Sequence, residues 1–126
     1  MYTITIYKDA RGREPIGDLL RELAAKAPTN KNARIRLKKM QDHIKALGKH
    51  GLHLGMPYIR HLDGDIWEIR PTRDRILFFS YTNEHFVLLH HFVKKTQKTP
   101  QREIAQAKRN LQNYIERYGY DKHQDR

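Results

Sequence analysis

Residues 75–92 read RILFFSYTNEHFVLLHHF, two apolar, strand-length runs separated only by Thr82, Asn83 and Glu84. So short a connection makes the runs antiparallel neighbours. Their apolar residues are nearly continuous instead of alternating, so neither face of either strand can be left to water. The chain must therefore place these strands centrally in a sheet and cover them with helices on both faces.

The flanking sequence supplies both needs. YIRHL (58–62) and IWEIR (66–70) meet across Asp63-Gly64, a dipeptide suited to a tight hairpin, which makes four consecutive strands an antiparallel meander. YTITIY (2–7) alternates, with Tyr2, Ile4 and Ile6 on one face, and predicts a strand at the sheet's other edge or beside the meander. Pro15 opens a helix carrying Ile16, Leu19, Leu20, Leu23 and Ala27 and ending before Pro28. Thr29 or Asn30 caps a second helix, with Ala33, Leu37, Met40, Ile44 and Leu47 on its apolar face and Gly48 as its stop. GKHGLHLGMP (48–57) reads as a connection able to bend. A last helix starts near Pro100, repeats Ile104, Ala107, Leu111, Ile115 and Tyr118, and is released by Gly119. The order β, α, α, meander, α predicts an α+β fold, with two N-terminal helices and one C-terminal helix packed on the sheet. We expect one domain over residues 1–118 and a polar tail over 119–126.

Lysine and arginine number 25 against 14 aspartates and glutamates, a net charge of +11 that points to polyanions, above all nucleic acid, as partners. Cysteine is absent, which excludes disulfides and thiolate metal sites. No apolar window reaches the length of a membrane span and no leader pattern opens the chain, so a cytoplasmic protein without a membrane partner is expected. His50-x-x-His53 and His90-His91 do not make a metal site, because adjacent strand residues point to opposite faces. No Walker loop, GxGxxG or GxSxG is present, and no cofactor is implied.

Cations cluster more tightly than the net charge requires. Period two puts Ile66, Glu68 and Arg70 on one face of their strand, expected to be the open one, while Trp67 and Ile69 enter the core. Arg73 and Arg75 follow at the next turn, and planar guanidinium groups match phosphate oxygens in bidentate fashion. If the two apolar strands pair as expected, residue 92 lies opposite residue 75, and Lys94, Lys95 and Lys98 leave the sheet beside the arginines. Glu68 and His91 are candidate bases for proton transfer. Lys31, Arg34, Lys38 and Lys45, together with Arg36 and Lys39, give the second helix a basic face that is either a solvated surface or an RNA- and ribosome-binding one.

Residues 64–110 carry a W-E-x-R strand, an arginine before an apolar strand, an H-x-F strand end and K-K-T-x-K-T-P leading into a helix. This pattern resembles the phage-derived Gp49-like branch of HigB toxins, in the RelE/ParE superfamily of toxin–antitoxin systems. The resemblance implies a small α+β ribonuclease that enters the ribosome, cleaves mRNA during translation and is neutralised by a helix-turn-helix antitoxin of the HigA type. It implies Arg70, Arg73 or Arg75, Lys94 and Lys95 as active residues, with Lys98 nearby. Such cleavage needs no metal, because the RNA 2′-oxygen attacks the adjacent phosphorus and the protein supplies positioning and charge. The sequence departs from the better-known ribonucleases of the superfamily in having Glu68 where a lysine is expected and no tyrosine just after the lysines. A non-catalytic or gyrase-directed ParE-like toxin, or a basic nucleic-acid-binding module, is the alternative.

Overall fold

A computed structural model describes residues 1–82 and 84–119, so the expected polar tail lies almost wholly outside the described residues. The elements are β1 (Thr3–Ile6), α1 (Pro15–Lys26), α2 (Lys31–His50), a short 3-10 turn (Gly51–Leu54), β2 (Ile59–Asp63), β3 (Ile66–Ile69), β4 (Asp74–Thr82), β5 (His85–Val93) and α3 (Gln101–Tyr118). The sheet order is β1-β5-β4-β3-β2. The four meander strands pair antiparallel, and β1 joins the edge parallel to β5. Arg75 lies opposite Phe92, as expected, although β4 runs on through Thr82, which pairs with His85.

Helices α1 and α2 cover one face of the sheet and α3 covers the other. Ile16, Leu23, Met40 and Leu47 of the paired helices pack on Ile69, Ile76, Phe78, Phe86 and Leu88. Ile104, Ala107 and Tyr114 of α3 pack on Ile66, Leu77, Phe79, Val87 and Leu89. That double cover is why β4 and β5 could be apolar on both faces. The C-terminal part of α3 turns differently from the expected stripe: Tyr118 is exposed and Tyr114 is buried, and Asn110 enters the core because its amide donates to the Leu89 carbonyl at 2.8 Å. A buried amide is tolerated there because it is paired.

A bulge in β5 changes its phase. Leu77 pairs with His90 and Phe78 with Leu88, leaving Leu89 as an extra residue. Beyond it, His90 and Phe92 lie on the α3 side and His91 on the α2 side, the reverse of uninterrupted alternation from Leu88.

Gly48 does not stop α2. It is buried inside the helix, its carbonyl accepting from the Tyr2 N–H at 2.8 Å, and the helix runs on to His50. The terminator is Gly51, at φ +58, where an added Cβ would come within 2.6 Å of the Tyr2 ring. Gly51→Ala should therefore cost more than about 1 kcal/mol, since neither backbone nor space accepts it. Urea unfolding of the variant checks this, and an unchanged midpoint would contradict it. Among the described residues no helix is long and apolar enough to cross a membrane.

Candidate functional site

The site grows from one buried carboxylate. Glu68 shares its face of the sheet with Ile66, as period two requires, but that face is not open: Ile66 and Glu68 are each only 1% exposed. Helix α3 and the segment leading into it cover the strand, a long-range arrangement that the local pattern does not encode. Glu68 Oε1 accepts from the Thr99 hydroxyl at 2.6 Å and lies 4.0 Å from Arg75 Nε, while Oε2 lies 3.8 Å from Arg70 Nε. One carboxylate thus faces two guanidinium groups and pins the segment after β5.

Arg75 is also buried, 5% exposed, and its Nη1 donates to the carbonyls of Thr72 (2.7 Å) and Asp74 (2.9 Å). Burial pushes its pKa down from the ordinary arginine value, Glu68 opposes that and Arg70 reinforces it. The turn it holds is strained: Thr72 has φ +50, a conformation that β-branched residues rarely adopt. Arg73, at the tip, is exposed. Its Nη2 donates to the Lys94 carbonyl at 3.1 Å, and the Lys94 N–H donates to the Arg73 carbonyl at 2.7 Å. The arginine turn and the lysine segment are therefore locked to each other.

These contacts gather the expected cations. Arg73, Lys94 and Lys95 line an open cleft of ≈ 360 Å³ with Thr96 and Gln97. Beneath it, Arg75 and Lys98 line a recess of ≈ 10 Å³ roofed by residues 94–100, about the room of one water molecule. Arg75 therefore supports the floor of the cleft, and the accessible charges are Arg73, Lys94, Lys95 and Lys98.

Residues 18–112 match the family model described as Phage derived protein Gp49-like (DUF891). The chain belongs to this family. Gp49-like proteins fall within the RelE/ParE-like toxin superfamily of toxin–antitoxin systems, and membership points to a toxin with an antitoxin partner. No curated protein matches the chain.

Other candidates of this Gp49-like protein lie elsewhere. His91 faces α2, its Nε2 2.7 Å from Asp74 Oδ1, so the thickness of the sheet separates it from Glu68 and Arg75. Asp74 also accepts from Arg36 Nε (3.1 Å) and Nη2 (2.8 Å), which ties α2 to the start of β4 and removes Arg36 from the free basic face. Lys31, Arg34, Lys38 and Lys45 are exposed on α2. Lys38 is spent on Asp42 at 2.9 Å, and Arg34 Nη1 donates to the Ala27 carbonyl at 2.7 Å. The first turns of α2 approach the cation site, since Asn32 and Ile35 line a cleft with Arg73 and Val93. Lys45 is about 15 Å farther along the helix. Among the described residues no group of three histidines, aspartates or glutamates is arranged to hold a metal.

The sequence offers His90 or His91 as an acid or base, with His91 preferred, and gives no sign of Glu103. His90 Nε2 lies 2.8 Å from Glu103 Oε1, so the bulged strand is joined to the first turn of α3 beside Lys95. Only the bulge puts His90 on that side.

Asp74 carries a pH signature. Burial would raise its carboxyl, but the hydrogen bonds from His91 and Arg36 outweigh it and hold the pKa down to about 2, from 3.8. A depressed carboxyl contributes stability that is complete above the unfolded value and lost as pH falls through the folded one, here worth about 2 kcal/mol. Asp74→Asn should thus destabilise the fold at pH 6, with the gap from the parent closing between pH 4 and about 2. Urea midpoints across that range test it, and a gap independent of pH would contradict the assignment.

Proposed function

We propose that this Gp49-like protein is the toxin of a type II toxin–antitoxin system and acts as a ribosome-dependent mRNA endonuclease, neutralised by a helix-turn-helix antitoxin. The observation that carries the reading is the convergence of Arg73, Lys94 and Lys95 on one open cleft at the ends of β4 and β5. A phosphodiester seated there meets a guanidinium fork and two ammonium groups, with Lys98 close by. As the 2′-oxygen attacks phosphorus and the 5′-oxygen departs, these cations offset the growing negative charge. The products are a cyclic phosphate and a free 5′-hydroxyl, and no water or metal enters the balance. Arg75 and Arg70 act beneath the cleft by fixing the turn and the lysine segment through Glu68. Glu68 is too buried to reach the 2′-hydroxyl, and His91 is on the wrong face, so the reading assigns neither a proton.

Expression of the chain in a translating extract, followed by mapping of new RNA 5′ ends, tests the reading. Ends within translated codons, bearing 5′-hydroxyls and absent when translation is stopped, are the expected result. Intact transcripts accompanied by DNA breaks would replace it with a gyrase-directed toxin. Salt-sensitive RNA binding alone does not decide the matter, because any basic nucleic-acid-binding module shows it.

A further inference from the structure

Next to the cation cleft, and sharing Lys95 and Thr96 with it, lies a second cleft of ≈ 450 Å³. Its walls differ in kind. Phe92, Val93 and Pro100 offer an apolar surface, and Arg102 and Glu103 stand over it from the first turn of α3. The Phe92 ring is half-buried and backed by the His90 imidazole, nearly parallel at 24° with centroids 6.3 Å apart. Glu103 is held at both ends: Oε1 lies 2.8 Å from His90 Nε2, and Oε2 lies 3.4 Å from Arg102 Nε. A fixed, partly buried carboxylate beside an aromatic face is an uncommon feature to set against a polyanion-binding cleft. Simple attraction for phosphate would leave it out.

Its chemistry is that of a base reader. A carboxylate only accepts hydrogen bonds, so it favours a ligand edge that donates and repels one that accepts. Unpaired RNA bases present such edges once splayed onto an aromatic ring. Cytosine carries an amino donor at position 4 where uracil carries a carbonyl acceptor, and glutamate pairs with the former. Lys95 and Arg102 offset the repulsion between Glu103 and the backbone phosphates. We infer that the Phe92–Glu103 cleft is a nucleobase subsite that selects an amino-bearing pyrimidine over uracil next to the phosphate held by Arg73, Lys94 and Lys95. The inference rests on RNA being the ligand of the cation cleft, as in the function proposed above.

Fluorescence anisotropy of the full chain with labelled oligocytidine and oligouridine tetramers at fixed salt tests it without requiring catalysis. Cytosine and uracil have similar ring size, so stacking contributes little to the difference. The cytidine tetramer should bind about tenfold tighter. Glu103→Gln, which still offers His90 an acceptor and adds a donor for the uracil carbonyl, should reduce that ratio to below about threefold. Phe92→Leu should weaken both tetramers and leave the ratio intact, separating stacking from edge reading. Equal binding of the two tetramers by the parent chain, or a ratio unmoved by Glu103→Gln, overturns the subsite. Selective binding without codon-mapped cleavage in the extract would keep the subsite and remove the nuclease reading; cleavage without selectivity would do the reverse.

Discussion

Replacing Glu68 with alanine is expected to lower stability by about 3–5 kcal/mol, the loss that follows removal of one partner from a buried ion pair. Arg75 has almost no contact with solvent, and Arg70 Nε is buried without a hydrogen-bond partner among the described residues. Glu68 faces both guanidinium groups and is the larger of the two carboxylate influences on Arg75, with Asp74 the lesser. Thr99 also loses its acceptor, so the 94–100 segment that roofs Arg75 keeps its tie to Arg73 at Lys94 but loses the one at Thr99. With a typical domain stable by only about 5–15 kcal/mol, the variant should unfold at a markedly lower urea concentration. Glu68→Gln, which keeps an acceptor for Thr99 but no charge, should fall between the two. A Glu68→Ala loss below about 1 kcal/mol would mean that water reaches the guanidinium groups and the carboxylate is no hub.

The second large effect concerns turnover. Lys95 is exposed and lines both the cation cleft and its neighbour, so its ammonium group is open to a phosphodiester bound in either. Lys95→Ala should slow mRNA cleavage by about a hundredfold to a thousandfold, the range found when one transition-state donor is removed. Its urea midpoint should be almost unchanged, since surface substitutions away from special contacts stay within about 0.5 kcal/mol. Antitoxin co-purification reports whether the surface is otherwise intact. Lys38→Ala, on α2, is the matched control and should leave the rate within about twofold, its charge being already paired with Asp42. A Lys95→Ala protein that cuts at the parental rate would place the chemistry elsewhere on the molecule.

The sequence announced the strands and their short connections, because each depends on local period; the pairing of Arg75 with Phe92 came out as expected because the register shifts at Leu77/Phe78 and Ser80/Thr82 offset each other. It also marked Arg73, Lys94 and Lys95 as neighbours, since they leave adjacent ends of a predictable hairpin. Burial of Glu68 was not legible in that way: its strand alternates as expected, and only the return of α3 over that face seals it. The phase of β5 after Leu88 was hidden as well. A run such as VLLHH contains nothing that singles out Leu89 as the unpaired residue, yet that one insertion decides whether His90 and Phe92 or His91 accompany the cations. Gly48 misled because it is an ordinary interior residue of α2, where an added Cβ would meet Ile4 and Tyr2 only at 3.6 and 3.8 Å; Gly51 is the glycine that the Tyr2 ring requires. Arg36 counted toward a free basic face until the fold supplied Asp74 as its partner.

The parallel pairing of β1 with β5 carries a consequence for how the molecule comes into being. Thr5 and His85 touch although they are 80 positions apart, so the outermost strand has nothing to dock against until most of the chain has left the exit tunnel. Helices α1 and α2 emerge early but find their sheet late, and closing so long a loop slows folding relative to a bundle of local contacts. The hairpin that carries the cationic cleft is completed at the same late moment, so under the function proposed above an unfinished chain lacks the cleft.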